Sequence, residues 1–418
     1  MLYRDIHDRV LRFLEESKPR YLHILEEMVS INSWTENREG VRALGEYTAD
    51  LFAGLGFTPE FVPSRNPLYG SHVILTRKGS GRASISCVSH LDTVFPPGEE
   101  QSHDFHFRLE GDSASGPGTS DIKGGTLVMF MMLESLSHEV PSLFESVNWK
   151  LFFDASEETT SDDFGTFCLD NMDAGTLACL IFEADGGRID EFSLVTSRKG
   201  RAVFTIESFG RAAHAGSAHK SGANAIVHLC GIIERAAALT DYERGITVNV
   251  GMISGGMALN RVPDYAAAQV EMRAHDESVF RESVDAMMSL AGSDPSGGKS
   301  LSCTAKISLD RRVPSWPGNE RTDHLFSVWE EAASVAGMRI VPEQRGGLSD
   351  GNWLWHRVPA IDGLGPLGGN EHCSGGPGKD RIGQEFVITG SLAPKAALNA
   401  LALVILLQSS SAGSEPPA

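Results

Sequence analysis

The chain has 418 residues, is 41% hydrophobic, and carries a formal net charge of −19 from 36 basic and 55 acidic side chains. That length suggests two domains with sizeable cores. The acidity argues against nucleic acid or an anionic membrane surface as a partner, because both need basic patches. The N-terminus has no basic segment followed by an apolar run, and the apolar runs read as shorter than the ~20 residues that span a bilayer. The expectation is a cytoplasmic protein with no membrane partner. The six cysteines, Cys87, Cys168, Cys179, Cys230, Cys303 and Cys373, form no C-x-x-C pair, and several fall in apolar elements. They read as buried thiols in a reducing compartment. Cys373 differs in that it neighbours His372.

In chain order, the periodicity predicts helices over 10–29, interrupted by Pro19, and over 38–54, then strands over 57–62 and 71–76. Apolar runs at 85–88, 149–153 and 177–182 read as further strands, and 126–136 as a helix between the first two. This alternation signals an α/β domain, a mixed sheet with helices on both faces. The style changes after Gly186-Gly187 and Lys199-Gly200. From there the order is strand 202–208, helix 223–239, strands 246–253 and 265–273, helix 278–290 and strand 301–309. That βαββαβ order predicts an inserted ferredoxin-like α+β unit. Pro314, Pro317 and Gly318 mark the return, followed by helices near 322–336 and 394–408. The expected organisation is a catalytic domain in two parts, 1–195 and 311–408, an inserted dimerisation or lid domain over 196–310, and a disordered tail over 409–418.

The chemistry gathers at strand ends and turns, where open α/β sheets bind ligands. His90 ends the 85–88 strand, with Asp92 two residues on, able to reach the second imidazole nitrogen and fix the tautomer. Asp121 sits in the turn Gly118-Thr119-Ser120-Asp121-Ile122-Lys123-Gly124-Gly125, before a helix. Glu157-Glu158 and then Glu183 follow the next two strands, and His372 comes much later in Gly368-Gly369-Asn370-Glu371-His372. Imidazoles and carboxylates are good zinc ligands. Asp185, beside Glu183, is an alternative ligand; Glu183 is favoured.

As a set, these motifs resemble the dinuclear zinc aminoacylase and carboxypeptidase family over nearly the whole chain, from about residue 21 to 407. The resemblance implies two zinc ions per subunit, with cobalt or manganese as substitutes. It assigns His90, Asp121 and Glu183 to one ion and Asp121, Glu158 and His372 to the other, with Asp121 bridging the two ions and the peptide bond after it, to Ile122, cis. It makes Glu157 the general base. It also gives roles to the inserted domain: His214, in Gly210-Arg211-Ala212-Ala213-His214, would reach across a homodimer to help hold the scissile oxygen. Asn260 would contact substrate, Arg273 would clamp the substrate's α-carboxylate with its forked guanidinium, and Gly347 would lie in a turn whose backbone approaches substrate.

The implied activity is amide hydrolysis of a short peptide or N-acyl amino acid with a free α-carboxylate. His90-Leu91-Asp92-Thr93-Val94 looks most like the glutamate carboxypeptidase branch, with the acetylornithine deacetylase and desuccinylase branches as the alternative. Two readings of other classes stand beside it. A non-catalytic metal or peptide binder on the same fold would be expected to lose Glu157, which is present. A di-iron redox protein would build its site from Glu-x-x-His on bundle helices, a pattern not found at these positions.

Overall fold

The computed structural model describes residues 2–160, 162–189, 191–293, 303–376 and 383–412. The chain divides into two compact units, one of residues 1–196, 318–344 and 349–418, the other of 197–317 with 345–348.

The first unit is organised on a mixed sheet. Its strands run in the spatial order Thr58–Pro63, Ser71–Arg77, Asn148–Asp154, Ser84–His90, Ala178–Ile181 and Ala360–Ile361. The last four are mutually parallel, and the first two are antiparallel to their neighbours. Every residue of Ser84–His90 is buried, as expected where a parallel strand has both faces covered. Its pairing aligns His90 with Asp154, so both strands end at one level. The helix Gly124–Glu139 is apolar on nearly all sides and packs against Leu392–Ala412 and Leu2–Glu16. A Cβ at Gly125 would lie 1.9 Å from the Phe182 carbonyl oxygen. Only glycine lets the start of this helix rest on the strand end that leads into Glu183.

Three expectations need correction. The helix expected over 10–29 is two helices, Leu2–Glu16 and Lys18–Ser30. The break falls at Ser17, and Pro19 occupies the first turn of the second helix, where its missing N–H costs nothing. The last helix continues to Ala412, so residues 409–412 are helical; Ser409 and Ser410 donate back to the Ile405 and Leu406 carbonyls. The rest of the expected tail, 413–418, lies outside the described residues. One apolar stretch does reach membrane-spanning length: Thr389–Ser410 has mean hydropathy 1.7, but 89% of its most apolar window is buried, which makes it a core helix. The pattern also gave no sign of a small antiparallel sheet, ordered Gly368–Gly369, Phe386–Ile388, Ser113–Ser115 and Arg108–Glu110.

The second unit has the expected βαββαβ order: Gly200–Phe209, Ala225–Ala237, Thr247–Gly255, Tyr265–Ala274, Glu277–Met288 and Thr304–Val313. Residues 301 and 302, expected in the last strand, lie outside the described residues. The sheet is antiparallel, with Thr247–Gly255 at one edge, then Tyr265–Ala274, Gly200–Phe209 and Thr304–Val313. Alternate residues of Gly200–Phe209 are buried, the period of a sheet covered on one face. Phe204, Ile206, Val270 and Met272 meet Leu229, Ile232, Phe280 and Met287 of the helices in one core. Asn224 and Asp276 cap the two helices through their side chains.

Lys395 and Asp185 form an ion pair in the first unit, both side chains fully buried. Asp185 also accepts N–H groups from Gly187 at 2.6 Å and Ser193 at 2.9 Å. Removing one member of a buried pair strands the other's charge. Lys395→Met is therefore expected to destabilise the chain by about 3–5 kcal/mol, read from urea unfolding. A change within half a kcal/mol, about the usual scatter of surface substitutions, would contradict it.

Candidate metal centre

The strand ends deliver the donors that the sequence suggested. His90 is the last residue of its strand and is 2% exposed. Asp121 lies in a tight turn between Gly118, which adopts φ +73°, and the helix Gly124–Glu139. The Asp121–Ile122 peptide bond is cis, as the family resemblance implied. Glu157 and Glu158 open a single 3₁₀ turn, Glu157–Thr159, rather than extending the strand. In a strand, adjacent side chains face opposite ways; in this turn both can serve one site. Asp92 holds the turn in place. Its Oδ1 accepts the Glu157 N–H at 3.0 Å, and its Oδ2 accepts the Glu158 N–H at 3.3 Å and the Thr35 hydroxyl at 2.7 Å.

The side chains converge. His90 Nε2 lies 2.9 Å from Asp121 Oδ1. His372 Nε2 lies 3.2 Å from Asp121 Oδ2 and 3.0 Å from Glu158 Oε2. The two oxygens of Asp121 thus face two different imidazoles. Donor atoms of His90, Asp121 and Glu183 lie within 4.8 Å of one another, and so do those of Asp121, Glu158 and His372. These are two three-donor sets that share Asp121. His90 Nδ1 is 3.0 Å from the backbone carbonyl of Asp92 and 3.5 Å from its carboxylate. The imidazole is therefore oriented chiefly by the carbonyl, and the Asp92 carboxylate serves the Glu157-Glu158 turn more than the tautomer.

The electrostatics are those of an acid-rich cluster. Burial pushes the Glu157 carboxyl well above its usual range; His90 pulls it back, and Glu183, Glu158 and Asp121 push it up again. Burial and the charge of Asp121 raise Glu158 to about 7, against the pull of His372. Burial lowers the His90 pKa, but hydrogen bonds to Asp121 and Asp92 outweigh it and hold the imidazole well above its usual value. Bonds to Asp121 and Glu158 raise His372 to about 11. Asp121 is held below the usual carboxylate range: its burial is outweighed by bonds to His372 and His90. Four carboxylates, Asp121, Glu157, Glu158 and Glu183, crowd around two imidazoles. Two divalent cations would balance that charge, and the nitrogen and oxygen donors suit zinc. The residues fit a two-metal centre.

Asp185, the alternative ligand, is committed to Lys395 and to the backbone of its own loop. Two residues not singled out from sequence also belong here. Asp350 is buried, and its carboxyl is pushed well up by burial and then by Asp154 and Glu157. Glu385 is buried and accepts the Ser120 and Asp121 N–H groups. Each is a lone acid in a loop, with no motif to mark it. Cys373 is exposed and free in the His372 turn; among the other thiols Cys87, Cys168, Cys179 and Cys303 are buried and Cys230 is exposed.

The remaining predicted residues are in the second unit. His214 pairs with Arg261 in a two-residue bridge, and the Ala215 N–H donates to the Asn260 carbonyl at 2.9 Å. His214 and Asn260 are thus neighbours, and both are exposed. They adjoin the Tyr265 end of Tyr265–Ala274, whereas Arg273 stands near the other end. At ~3.3 Å per residue the two ends are ~26 Å apart. Arg273 donates from Nη1 to the Gly346 carbonyl at 2.7 Å and from Nε to Glu271 at 2.6 Å. Beside it, Arg198, 3% exposed, donates to the carbonyls of Gly347 at 3.2 Å and Leu348 at 2.9 Å. Arg201 pairs with the other oxygen of Glu271. Arg198 was missed because its Ser-Arg-Lys-Gly segment reads as an ordinary turn.

Comparison with known proteins agrees with this architecture. Residues 196–297 match the family model described as a peptidase dimerisation domain. The chain is 27% identical over 363 residues to carboxypeptidase G2 of Pseudomonas sp. (strain RS-16), covering 85% of this chain and 84% of that protein. It is also 27% identical to an uncharacterized metallohydrolase of Methanocaldococcus jannaschii, over 63% of this chain and 68% of the other. Among solved structures, the aminopeptidase PepT of Bacillus cereus superposes with a TM-score of 0.70 at 21% identity, covering 94% of this chain and 99% of that one. An M20 family metallo-carboxypeptidase of Sulfolobus solfataricus superposes at 0.67 and 16% identity, covering 93% and 99%. At these identities the structural matches show the fold.

The carboxylates that face His90 and His372 raise both imidazoles toward their protonated forms. For His90 and His372 to ligate, each must lose the proton that its carboxylate neighbours hold on it. Zinc binding at pH 7 is expected to release about two protons from the imidazoles and part of a third from Glu158, raised to about 7. Affinity should rise with pH over the range below the His372 value of about 11. Calorimetry in buffers of different ionisation heat measures the release. A binding heat independent of buffer would rule it out.

Proposed function

We propose that this homologue of carboxypeptidase G2, whose inserted unit is the dimerisation domain of M20 peptidases, is a two-zinc hydrolase. Its substrate is a short peptide or N-acyl amino acid with a free α-carboxylate. The observation that carries the reading is the pair of three-donor sets sharing Asp121, with Glu157 beside them. His90, Asp121 and Glu183 would hold one ion, and Asp121, Glu158 and His372 the other. When bound, the ions supply Lewis acidity: they polarise the amide carbonyl and lower the pKa of the attacking water.

The chain's own groups do the rest. Glu157, buried and fixed at its backbone by Asp92, takes the proton of the attacking water and later gives it to the leaving nitrogen. His214 and Asn260 offer exposed donors for the developing oxyanion.

Arg198, Lys199 and Arg273 gather about the turn 345–348, with Arg201 on the Glu271 that also holds Arg273, and this basic cluster supports a substrate whose departing end is anionic. It favours the glutamate carboxypeptidase-like reading, an acidic residue at the departing end, over deacylation of a basic amino acid. Arg273→Lys keeps the charge but loses the fork. It is expected to raise KM for substrates with a free α-carboxylate and to matter far less for their amides. Equal effects on both would remove Arg273 from carboxylate reading.

For Glu157→Gln, metal content should stay near wild type while kcat falls by about 10²–10⁴-fold. A variant that keeps more than about a tenth of wild-type turnover, against that expectation, would sink the assignment.

The second unit supports a homodimer. Its edge strand Thr247–Gly255 exposes Met252 and Ile253, at 65% and 58%, an invitation to pairing with a second copy. The ~26 Å between the His214–Asn260 end and the Arg273 end is too long for one small substrate to touch both within a protomer. Each active site then takes one end from each of two copies. Glu157→Gln and His214→Ala chains, each nearly inactive alone, should recover up to about half of wild-type activity as a purified heterodimer, because one of its two sites is intact. No recovery would place His214 in its own protomer's site or outside catalysis.

A further inference from the structure

The turn that carries Asp121 rests on a residue that none of these steps uses. Glu385 stands just before the short strand Phe386–Ile388 and is fully buried. Its Oε1 accepts two successive backbone N–H groups, Ser120 at 2.8 Å and Asp121 at 3.0 Å. Its own N–H donates to the Cys373 carbonyl at 2.8 Å, and its carbonyl accepts from Gly116 at 3.2 Å. One residue therefore ties together the entry to the Asp121 turn, the Asp121 backbone itself, and the turn that presents His372. The approach is close: a Cβ at Gly368 would lie 2.3 Å from Ser120 Oγ.

Fold stability does not explain this choice of residue. Glu385 Oε2 is buried and has no hydrogen-bond partner among the described residues. A buried carboxyl oxygen without a protein partner is costly, and where one persists another role usually holds it. The geometry points to that role. An acceptor that binds two adjacent amides on one oxygen fixes the direction in which the next side chain leaves the turn, and here that side chain is Asp121.

We propose that Glu385 is the positioning residue of the metal centre. By holding the Ser120 and Asp121 amides on one oxygen, it aims the two oxygens of Asp121 at the His90 and His372 sides and so sets the affinity for both ions. The inference rests on the two-metal reading.

The test uses the full chain stripped of metal and titrated with zinc against a competing chelator. Cobalt(II) absorption spectra report the ligand geometry, and unfolding of the metal-free forms reports the fold. Glu385→Leu removes the acceptor and should weaken both ions by about 10–100-fold, the usual effect of losing a group that orients a ligand, with an altered cobalt spectrum. Glu385→Gln keeps an acceptor oxygen of the same reach and should bind both ions nearly as wild type does. Wild-type affinity in Glu385→Leu, or equal losses in both variants, would overturn the proposal. Should Glu385→Leu not fold, Glu385→Asp decides: it keeps the carboxyl group but is too short to hold both amides, so it should bind more weakly than Glu385→Gln. The reverse order would make the acid group, not its reach, the operative property and overturn the proposal. A wild-type chain that takes fewer than two ions sinks the two-metal reading and this inference with it, and is recognisable because the failure is then in the wild type.

Discussion

The constraint on which this structure turns is the crowding of Asp121, Glu157, Glu158 and Glu183 around His90 and His372. Carboxylates in a partly buried space repel, and burial alone favours their neutral forms. The cluster persists because the sheet delivers its members whether or not they attract. Ser84–His90 and Asn148–Asp154 end at one level, since His90 pairs with Asp154. Ala178–Ile181 runs parallel on the other side. The three strands are wholly or largely buried and make up the rigid centre of the unit. The strain of like charges is thus carried by hydrophobic packing some residues away, and relieved locally by protons on the two imidazoles.

The supporting groups follow the same logic. Asp92 spends its carboxylate on the backbone of the Glu157-Glu158 turn. Glu385 does the same for the Asp121 turn. In each case a buried acid accepts amide N–H groups of a segment that bears other acids. Such a bond fixes the backbone without adding a positive side chain that would compete for the cluster. Lys395, by contrast, is paired with Asp185 and over the Phe192 ring, 4.7 Å from its centroid. Cationic and anionic functions are kept on separate carboxylates, which is why Asp185, two residues from Glu183, is not available as a ligand.

Much of this was legible in sequence because it rests on local pattern. Buried parallel strands are unbroken apolar runs, and the residue after each run is a candidate ligand by position alone; His90, the Glu157-Glu158 pair and Glu183 were found this way. The βαββαβ order of the second unit was equally plain, because its strands alternate and its helices carry cap residues at Asn224 and Asp276. What stayed hidden has a common cause. The four-stranded sheet that holds Glu385 is made of strands two or three residues long, drawn from 108–115 and 368–388. Elements that short have no measurable period. The ladder that joins the two segments pairs residues more than 250 apart, as Phe386 and Ser115 are. Glu385 could not be seen because the object it supports, the backbone of Ser120 and Asp121, carries no side-chain signature.

The distribution of exposed groups in the second unit bears on how such a chain would be controlled. His214 and Asn260 sit on a bridge of two residues and a short turn rather than inside the sheet. Arg273 is braced by Glu271, which is itself shared with Arg201. One end thus presents its side chains from a turn, where the His214 ring accepts the Gly216 and Ser217 N–H groups at 3.1 Å, and the other presents Arg273 from a braced strand. A group that must reach a developing charge benefits from adjustment, because its bond is needed only in the transition state. A group that reads a carboxylate benefits from being fixed before the ligand arrives, since less entropy is then lost on binding. The turn and the braced strand suit the catalytic and recognition roles proposed for them. The assignment follows from how each side chain is held within its own unit, independently of which protomer supplies it.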